Sequence, residues 1–372
     1  MIVLEETLHA LSRRDESMKL PDFLLPDNVE DGCLGHSQGE LVWNATYACN
    51  LKCSHCYLAS TRSPSPDELT TEEGLSLIDE VRRIFGSSAQ VVFSGGEPLL
   101  REDLYGLIEY AHSLGLRVAL ASNGMLIDED VARKLKKAGL SELAISIDGD
   151  ERLHDAIRGV RGSFKAALEA AVNAKKVNLS FQLHFTLTGI NEHLLPWIIE
   201  LAERLGARRI FIFDLIPTGR GVGLKRPSLN VLELFNYILS RQLQSQVWLK
   251  PQCYPYYWVY LIRNADQLGL DKDQLRSYFK GCLAGRSIVR VTPKGEVTPC
   301  PFIPLSVGNV RRERLRHIWF NDQIMAKLRS RNLKGVCASC AWREVCGGCR
   351  AKALAYHGDL FAHDPLCPFP QP

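Results

Sequence analysis

Apolar residues along this chain fall into two alternating periods. Short runs of four to seven apolar or β-branched positions occur at Leu41–Tyr47, Gln90–Ser94, Arg117–Ala121, Glu142–Ile147, Phe181–Leu187 and Arg209–Asp214. Each is too short for a globular helix and reads as a strand buried on both faces. Between them the period lengthens to that of a helix. Leu77, Ile78, Val81, Ile84 and Phe85 share one face, opened by a Thr70/Glu73 capping box and stopped at Gly86. Leu104, Leu107, Ile108, Ala111 and Leu114 repeat the scheme before Gly115, and Val131, Leu135 and Ala138 do so before Gly139. Longer helices are predicted near Phe164–Lys176 and Glu192–Leu205. Strands alternating with helices imply parallel βα units joined by right-handed crossovers. The expected fold is α/β, a partial (β/α)6 barrel, whose ligands gather at the carboxyl ends of the strands.

The pattern changes outside this block. Residues 1–40 hold a helical stretch, Val3–Arg13, and a Pro- and Asp-rich segment, Pro21–Gly32, read as an arm on the main domain of residues 41–224. Residues 225–280 read as helices plus the aromatic run Tyr254–Tyr260, either a packing bridge or an aromatic wall for a flat substrate. From 281 to 372 the helical period fades and Cys, Gly and Pro dominate, as in a small domain stapled by metal clusters.

Cysteine usage sharpens this picture. Of 12 cysteines in 372 residues, three form the tight loop Cys49–Cys53–Cys56 and seven lie between Cys282 and Cys367. Cys33 and Cys253 stand apart and read as free thiols. Glu5 and Glu6 sit where a secretion signal would be apolar, and no apolar run approaches a membrane span. A cytoplasmic chain with reduced, ligand-forming thiols is therefore expected. A net charge of +3 gives no case for nucleic acid.

The first loop follows the first strand, so it belongs at the rim. Its spacing suits three thiolates wrapped round one corner of an iron–sulfur cube, with one iron left open. A zinc knuckle using His55, or a redox thiol set, is the alternative. Gly95-Gly96-Glu97-Pro98 ends the second strand on the same rim, where two glycines admit close backbone approach and Glu97 offers a carboxylate to an amino group. Asn123 ends the third strand, Ser146 and Asp148 end the fourth, and Arg158 follows. Asn123, Ser146 and Asp148 read as ordinary turn residues or, on a common rim, as partners for ribose hydroxyls, and Arg158 as a solvated surface charge or a grip for a carboxylate. The C-terminal array runs Cys282, Cys300, Cys337-x2-Cys340-x5-Cys346-x2-Cys349 and Cys367. Its two CxxC pairs alone would suit a zinc ribbon, whereas seven thiols suit two clusters. Arg311, Arg312, Arg314 and Arg316 read as a solvated helix start or as a docking face for an acidic electron donor.

Together the cysteine loop, Gly95–Pro98 and the seven-cysteine array resemble the radical S-adenosylmethionine (SAM) superfamily with a C-terminal SPASM-type auxiliary-cluster domain. That resemblance implies a [4Fe–4S] cluster on Cys49, Cys53 and Cys56, cleavage of SAM to a 5′-deoxyadenosyl radical, and a low-potential donor such as ferredoxin or flavodoxin. It implies that Gly95, Gly96 and Glu97 hold the methionine amino group, Asn123 and Ser146 the ribose and polar parts, and Arg158 the carboxylate. It places Cys337, Cys340, Cys346 and Cys367 on one auxiliary cluster. Cys282, Cys300 and Cys349 go to another, with one iron open or held by a non-cysteine ligand. Cys346-Gly347-Gly348-Cys349, Arg350–Ala353, Phe185–Thr188 and Pro217–Gly221 resemble the members that modify tetrapyrroles in haem d1 and alternative haem synthesis. On that reading Tyr254–Tyr260 gives a slot and Arg220 an edge cation for the macrocycle. Peptide maturases share the CGGC variant, so a peptide is the other substrate class, and a non-enzymatic iron–sulfur electron carrier is a further alternative.

Overall fold

A computed structural model describes residues 39–278 and 281–369. The N-terminal helix, the Pro- and Asp-rich segment and Cys33 lie outside the described residues.

The six predicted strands are all present: β1 (Glu40–Asn44), β2 (Gln90–Ser94), β3 (Arg117–Ser122), β4 (Glu142–Ser146), β5 (Phe181–Leu187) and β6 (Arg209–Asp214). They pair in parallel and in chain order, β1 to β6, each with the next. Sequential order with a helix in each crossover curves the sheet one way and gives an open barrel. The helices fall as the apolar faces predict, at Thr71–Phe85, Leu104–Ser113, Glu129–Lys137, Ser163–Lys176 and Leu195–Leu205. The capping box forms: Thr70 Oγ1 accepts from Glu73 N at 3.3 Å, and Glu73 Oε2 accepts from Thr70 N at 2.8 Å. Trp43, Phe93, Ile78, Leu107 and Ile108 form the centre of the core, all fully buried.

The sheet extends past both ends of the expected block. β7 (Trp248–Gln252) joins β6 in parallel, inside the segment read only as helices and aromatics. Lys250 and Pro251 break its apolar pattern. They are tolerated because β7 is an edge strand, where a proline costs no ladder bond. On the other side, β8 (Ile288–Val291) pairs in parallel with β1, followed by antiparallel β9 (Glu296–Thr298) and β10 (Gly308–Asn309). The cysteine-rich region is thus joined to the barrel by a continuous ten-stranded sheet.

The aromatic run resolves in favour of packing. Tyr254, Tyr256, Tyr257 and Tyr260 are at most 5% exposed and surround Phe235 with ring centroids 4.9–5.9 Å away. The slot assigned to these rings is therefore corrected: they fill the core between barrel and C-terminal region.

Candidate active site

The loop after β1 carries no regular structure of its own and is held by three other segments. From β2, Gly96 N donates to Thr46 O at 2.8 Å and Glu97 N to Ala48 O at 2.7 Å. Here the glycines are required: a Cβ on Gly96 would lie 2.0 Å from Ala48 O, and one on Gly95 2.6 Å from Thr46 O. From the helix Glu151–Arg158, Lys52 N donates to Arg158 O and Ser54 N to Ile157 O. From the segment after β6, Arg220 N donates to Cys56 O at 2.9 Å, and its guanidinium donates to Cys53 O and Ser60 O, both at 2.8 Å. The edge-cation role expected for Arg220 is corrected by this geometry. Its side chain is a clamp on the cysteine loop.

Each thiol of the loop has a polar neighbour. Arg158 Nη1 lies 3.6 Å from Cys53 Sγ, Asn123 Nδ2 3.9 Å from Cys49 Sγ, Leu51 N 3.4 Å from Cys49 Sγ, and Ser60 Oγ 3.5 Å from Cys56 Sγ. Arg158 also pairs with Asp148 at 2.6 Å, and His55 Nε2 meets the same carboxylate at 3.1 Å. Burial alone would raise the Asp148 carboxyl, yet Arg158 and His55 hold it well below the usual carboxylate range. His55 is engaged there and does not turn inward as a zinc ligand.

The three cysteines face an open cavity at the carboxyl ends of the strands. Gly95, Gly96, Asn123, Ser146 and Arg158 all line it, as the rim argument predicts. Two assigned residues do not. Glu97 is fully buried, and its carboxylate accepts from Leu99 N, Ser122 Oγ and Asn123 N. Burial pushes its carboxyl up to about 7 against these donors. Asp148 is likewise fully buried behind Arg158 and His55, and also accepts from Thr186 N at 3.1 Å. Both brace the rim from within instead of reaching into the cavity. The Asn123 amide is bound to Asn50 Oδ1 at 2.7 Å, so it too ties β3 to the cysteine loop.

Tyr57, His184, Phe213 and Phe302 supply an aromatic wall that sequence reasoning missed. His184 stacks on Phe211 at 5.2 Å, and Phe302 meets both Tyr57 and Phe213 edge-on. His184 and Phe213 alternate with the core residues of β5 and β6 and so face the cavity, while Tyr57 and Phe302 come from loops that carry no strand pattern. Burial first, and then the Arg158 and Arg209 charges, push His184 down to about 3, so its ring is neutral. Asp214 ends β6 on the cavity and pairs with Lys352 Nζ at 2.5 Å, which also donates to Tyr256 OH at 2.9 Å.

The C-terminal thiols gather in two groups. Cys346 and Cys367 lie within electrostatic reach of Cys337, and Cys367 of Cys340. Cys282, Cys300 and Cys349 form the other group, against Ala284, Ile303 and Leu328. Cys253, read as an isolated thiol, belongs with this second group. Buried Arg331, Arg350 and Lys352 surround both groups, and Arg331 and Lys352 feel the fields of Cys282 and Cys349 respectively. Cations buried beside thiols suit anionic iron–sulfur clusters. Among the described residues, no group of three or more His, Cys, Asp or Glu side chains is arranged for a single metal ion.

Comparison with known proteins agrees with this arrangement. The radical SAM superfamily model matches residues 43–213, and that of an iron-sulfur cluster-binding domain matches residues 282–341. The chain is 37% identical to an AdoMet-dependent heme synthase of Methanosarcina barkeri, over 88% of this chain and 95% of the relative. It is 34% identical to the Fe-coproporphyrin III synthase of the same organism, covering 97% and 94%. It is 30% identical to the mycofactocin maturase MftC of Mycolicibacterium smegmatis, covering 88% and 82%. Among solved structures, SuiB of Streptococcus suis bound to S-adenosylmethionine superposes with a TM-score of 0.71 at 18% identity, over 89% of this chain and 77% of that one. The chain belongs to the radical SAM superfamily, in the branch with a C-terminal iron–sulfur domain. It is an enzyme that works with a [4Fe–4S] cluster, SAM and auxiliary iron–sulfur clusters.

Proposed function

We propose that this enzyme removes or oxidises a carboxylate-bearing side chain of a tetrapyrrole. The observation that carries the reading is the near full-length similarity to an AdoMet-dependent heme synthase. The aromatic wall of Tyr57, His184, Phe213 and Phe302 supports it, because a macrocycle is flat and apolar over its faces. When bound, the cluster and SAM supply a 5′-deoxyadenosyl radical that takes a hydrogen atom from the substrate.

The chain's own residues position and shield. Cys49, Cys53 and Cys56 would hold the cluster, and Gly95, Gly96, Ser146 and Arg158 face the space SAM would fill. Asp148 fixes the Arg158 guanidinium, and Arg220 fixes the loop. Asp214 and Lys352 join the cavity wall to the region of Cys349. The C-terminal groups would hold auxiliary clusters on Cys337, Cys340, Cys346 and Cys367 and on Cys282, Cys300 and Cys349. We place the boundaries of the working units near residues 41, 225 and 281. We also propose that the enzyme works in the cytoplasm with a ferredoxin or flavodoxin. Among the described residues no helix is long and apolar enough to cross a membrane. Arg312, Arg314 and Arg316 are exposed and free to face such a donor, whereas Arg311 is bound to Glu73 and to the Asp67 and Glu68 carbonyls.

The test is anaerobic incubation of reconstituted protein, SAM and dithionite with didecarboxysiroheme or iron-coproporphyrin, followed by mass. Loss of carboxylate-bearing fragments is expected, and Cys53→Ala should abolish both that loss and 5′-deoxyadenosine formation. The similarity to a mycofactocin maturase keeps a peptide as the second reading. Turnover of a peptide, with neither macrocycle bound or changed, would select it.

A further inference from the structure

Seven cysteines leave one auxiliary cluster a ligand short, and the chain has an eighth thiol beside it. Cys253 lies between β7 and the helix Tyr256–Arg263, 29 residues before Cys282 and outside the array that the CxxC spacings define. Its thiol packs in one cluster with Cys349, Cys282 and Cys300, and interacts electrostatically with Cys349, Cys300 and Lys352. Cys282 and Cys300 share the same neighbour, Cys349. Four thiols from four chain segments therefore converge, packed with Ile216, Ala284 and Ile303. The Cys253 backbone has φ +65°, a conformation that non-glycine residues rarely adopt. Here it falls on a cysteine among cysteines.

We propose that Cys253 is the fourth protein ligand of the auxiliary cluster held by Cys282, Cys300 and Cys349. The inference rests on the reading of those cysteines as cluster ligands and fixes how many thiolates complete the site. The group of Cys337, Cys340, Cys346 and Cys367 already has four thiols. Both auxiliary clusters are then closed by protein sulfur. Only the loop of Cys49, Cys53 and Cys56 leaves an iron open, so the substrate is not anchored by bonding to an auxiliary iron. Lys352 fits this assignment: it is fully buried between Asp214 and the Cys253–Cys349 pair, where it offsets thiolate charge.

The test uses the full chain with Cys49, Cys53 and Cys56 replaced by alanine, so that its spectra report the auxiliary clusters alone. Loss of iron and sulfide from this protein would refute the cluster reading itself. With the clusters present, Cys253→Ser is added and both proteins are followed by Mössbauer and electron paramagnetic resonance spectroscopy, with and without cyanide. The proposal predicts one iron site changed in the serine variant and a spectrum newly shifted by cyanide. Identical spectra, insensitive to cyanide in both proteins, would overturn it. Should the variant fail to fold, iodoacetamide labelling of the unsubstituted protein decides. Cys253 should be protected while clusters are present and labelled once they are stripped; labelling unchanged by stripping overturns the proposal.

Discussion

Arg220 offers the sharpest division between a residue that holds the cluster loop and one that holds substrate. Its guanidinium donates to Cys53 O and Ser60 O, each at 2.8 Å, from 167 and 160 residues away in sequence. Its backbone N–H holds Cys56 O, and a Cβ on neighbouring Gly219 would lie 2.4 Å from the carbonyls of Cys56 and Tyr57. Two bonds from a charged donor contribute about 1.5–3 kcal/mol each. Arg220→Ala should thus loosen the loop by about 3–6 kcal/mol, less whatever water restores at the half-buried carbonyls. Arg220→Lys keeps the charge but not the planar fork, and should recover at most about half. The assay is chelator-driven iron loss from the reconstituted enzyme, read beside SAM cleavage without substrate. Both should worsen in the order parent, lysine, alanine, while the substrate KM measured on the fraction retaining its cluster stays constant. The opposite split would refute the reasoning. That split is parental iron retention and parental SAM cleavage in Arg220→Ala, with a substrate KM raised at least tenfold.

Other outcomes follow from the same geometry. Gly96→Ala drives a methyl group to 2.0 Å from Ala48 O, so it should lower SAM cleavage and SAM affinity together while the C-terminal clusters keep their spectra. Lys352→Met leaves Asp214 and its half-buried partner Arg226 to balance each other. Breaking a buried pair costs about 3–5 kcal/mol, and a denaturant midpoint unchanged in this variant would contradict the ion-pair account. His184 and His154 sit at about 3 and about 4, below their ordinary value of 6.5, because burial and Arg158 disfavour the charged ring. The unfolded chain therefore takes up protons that the folded chain refuses as pH falls below 6.5. Each ring should withdraw about 2 kcal/mol of stability between pH 7.5 and pH 5. His184→Gln, measured by urea unfolding of the apoprotein, should flatten that slope by about half.

Much of this molecule is visible in one dimension where a single force dominates. Runs such as Val91-Val92-Phe93 and Ile210-Phe211-Ile212 are apolar on both faces because a parallel sheet is covered on both sides. β7 is hidden because an edge strand accepts Lys250 and Pro251. The cysteine loop and Gly95–Gly96 are legible from spacing, and all five of these residues meet at one cavity. The roles of charged residues are less so. The rim positions of Arg220, Asp148 and Glu97 suggest ligand-facing roles, yet each makes its hydrogen bonds or ion pairs to the protein. Sequence spacing does not reveal which segment of the fold a side chain meets. Cys253 escaped for the same reason, since its companions come from three later segments.

The central claim joins the cysteine loop to a tetrapyrrole through hydrogen transfer, and isotope transfer tests it most directly. Iron-coproporphyrin deuterated on its peripheral side chains is incubated anaerobically with reconstituted enzyme, dithionite and SAM. The account predicts deuterium in the 5′-deoxyadenosine produced, in step with loss of mass from the macrocycle, and neither with Cys53→Ala. Formation of 5′-deoxyadenosine free of deuterium, with the macrocycle unchanged and the same result for didecarboxysiroheme deuterated in the same way, would contradict it.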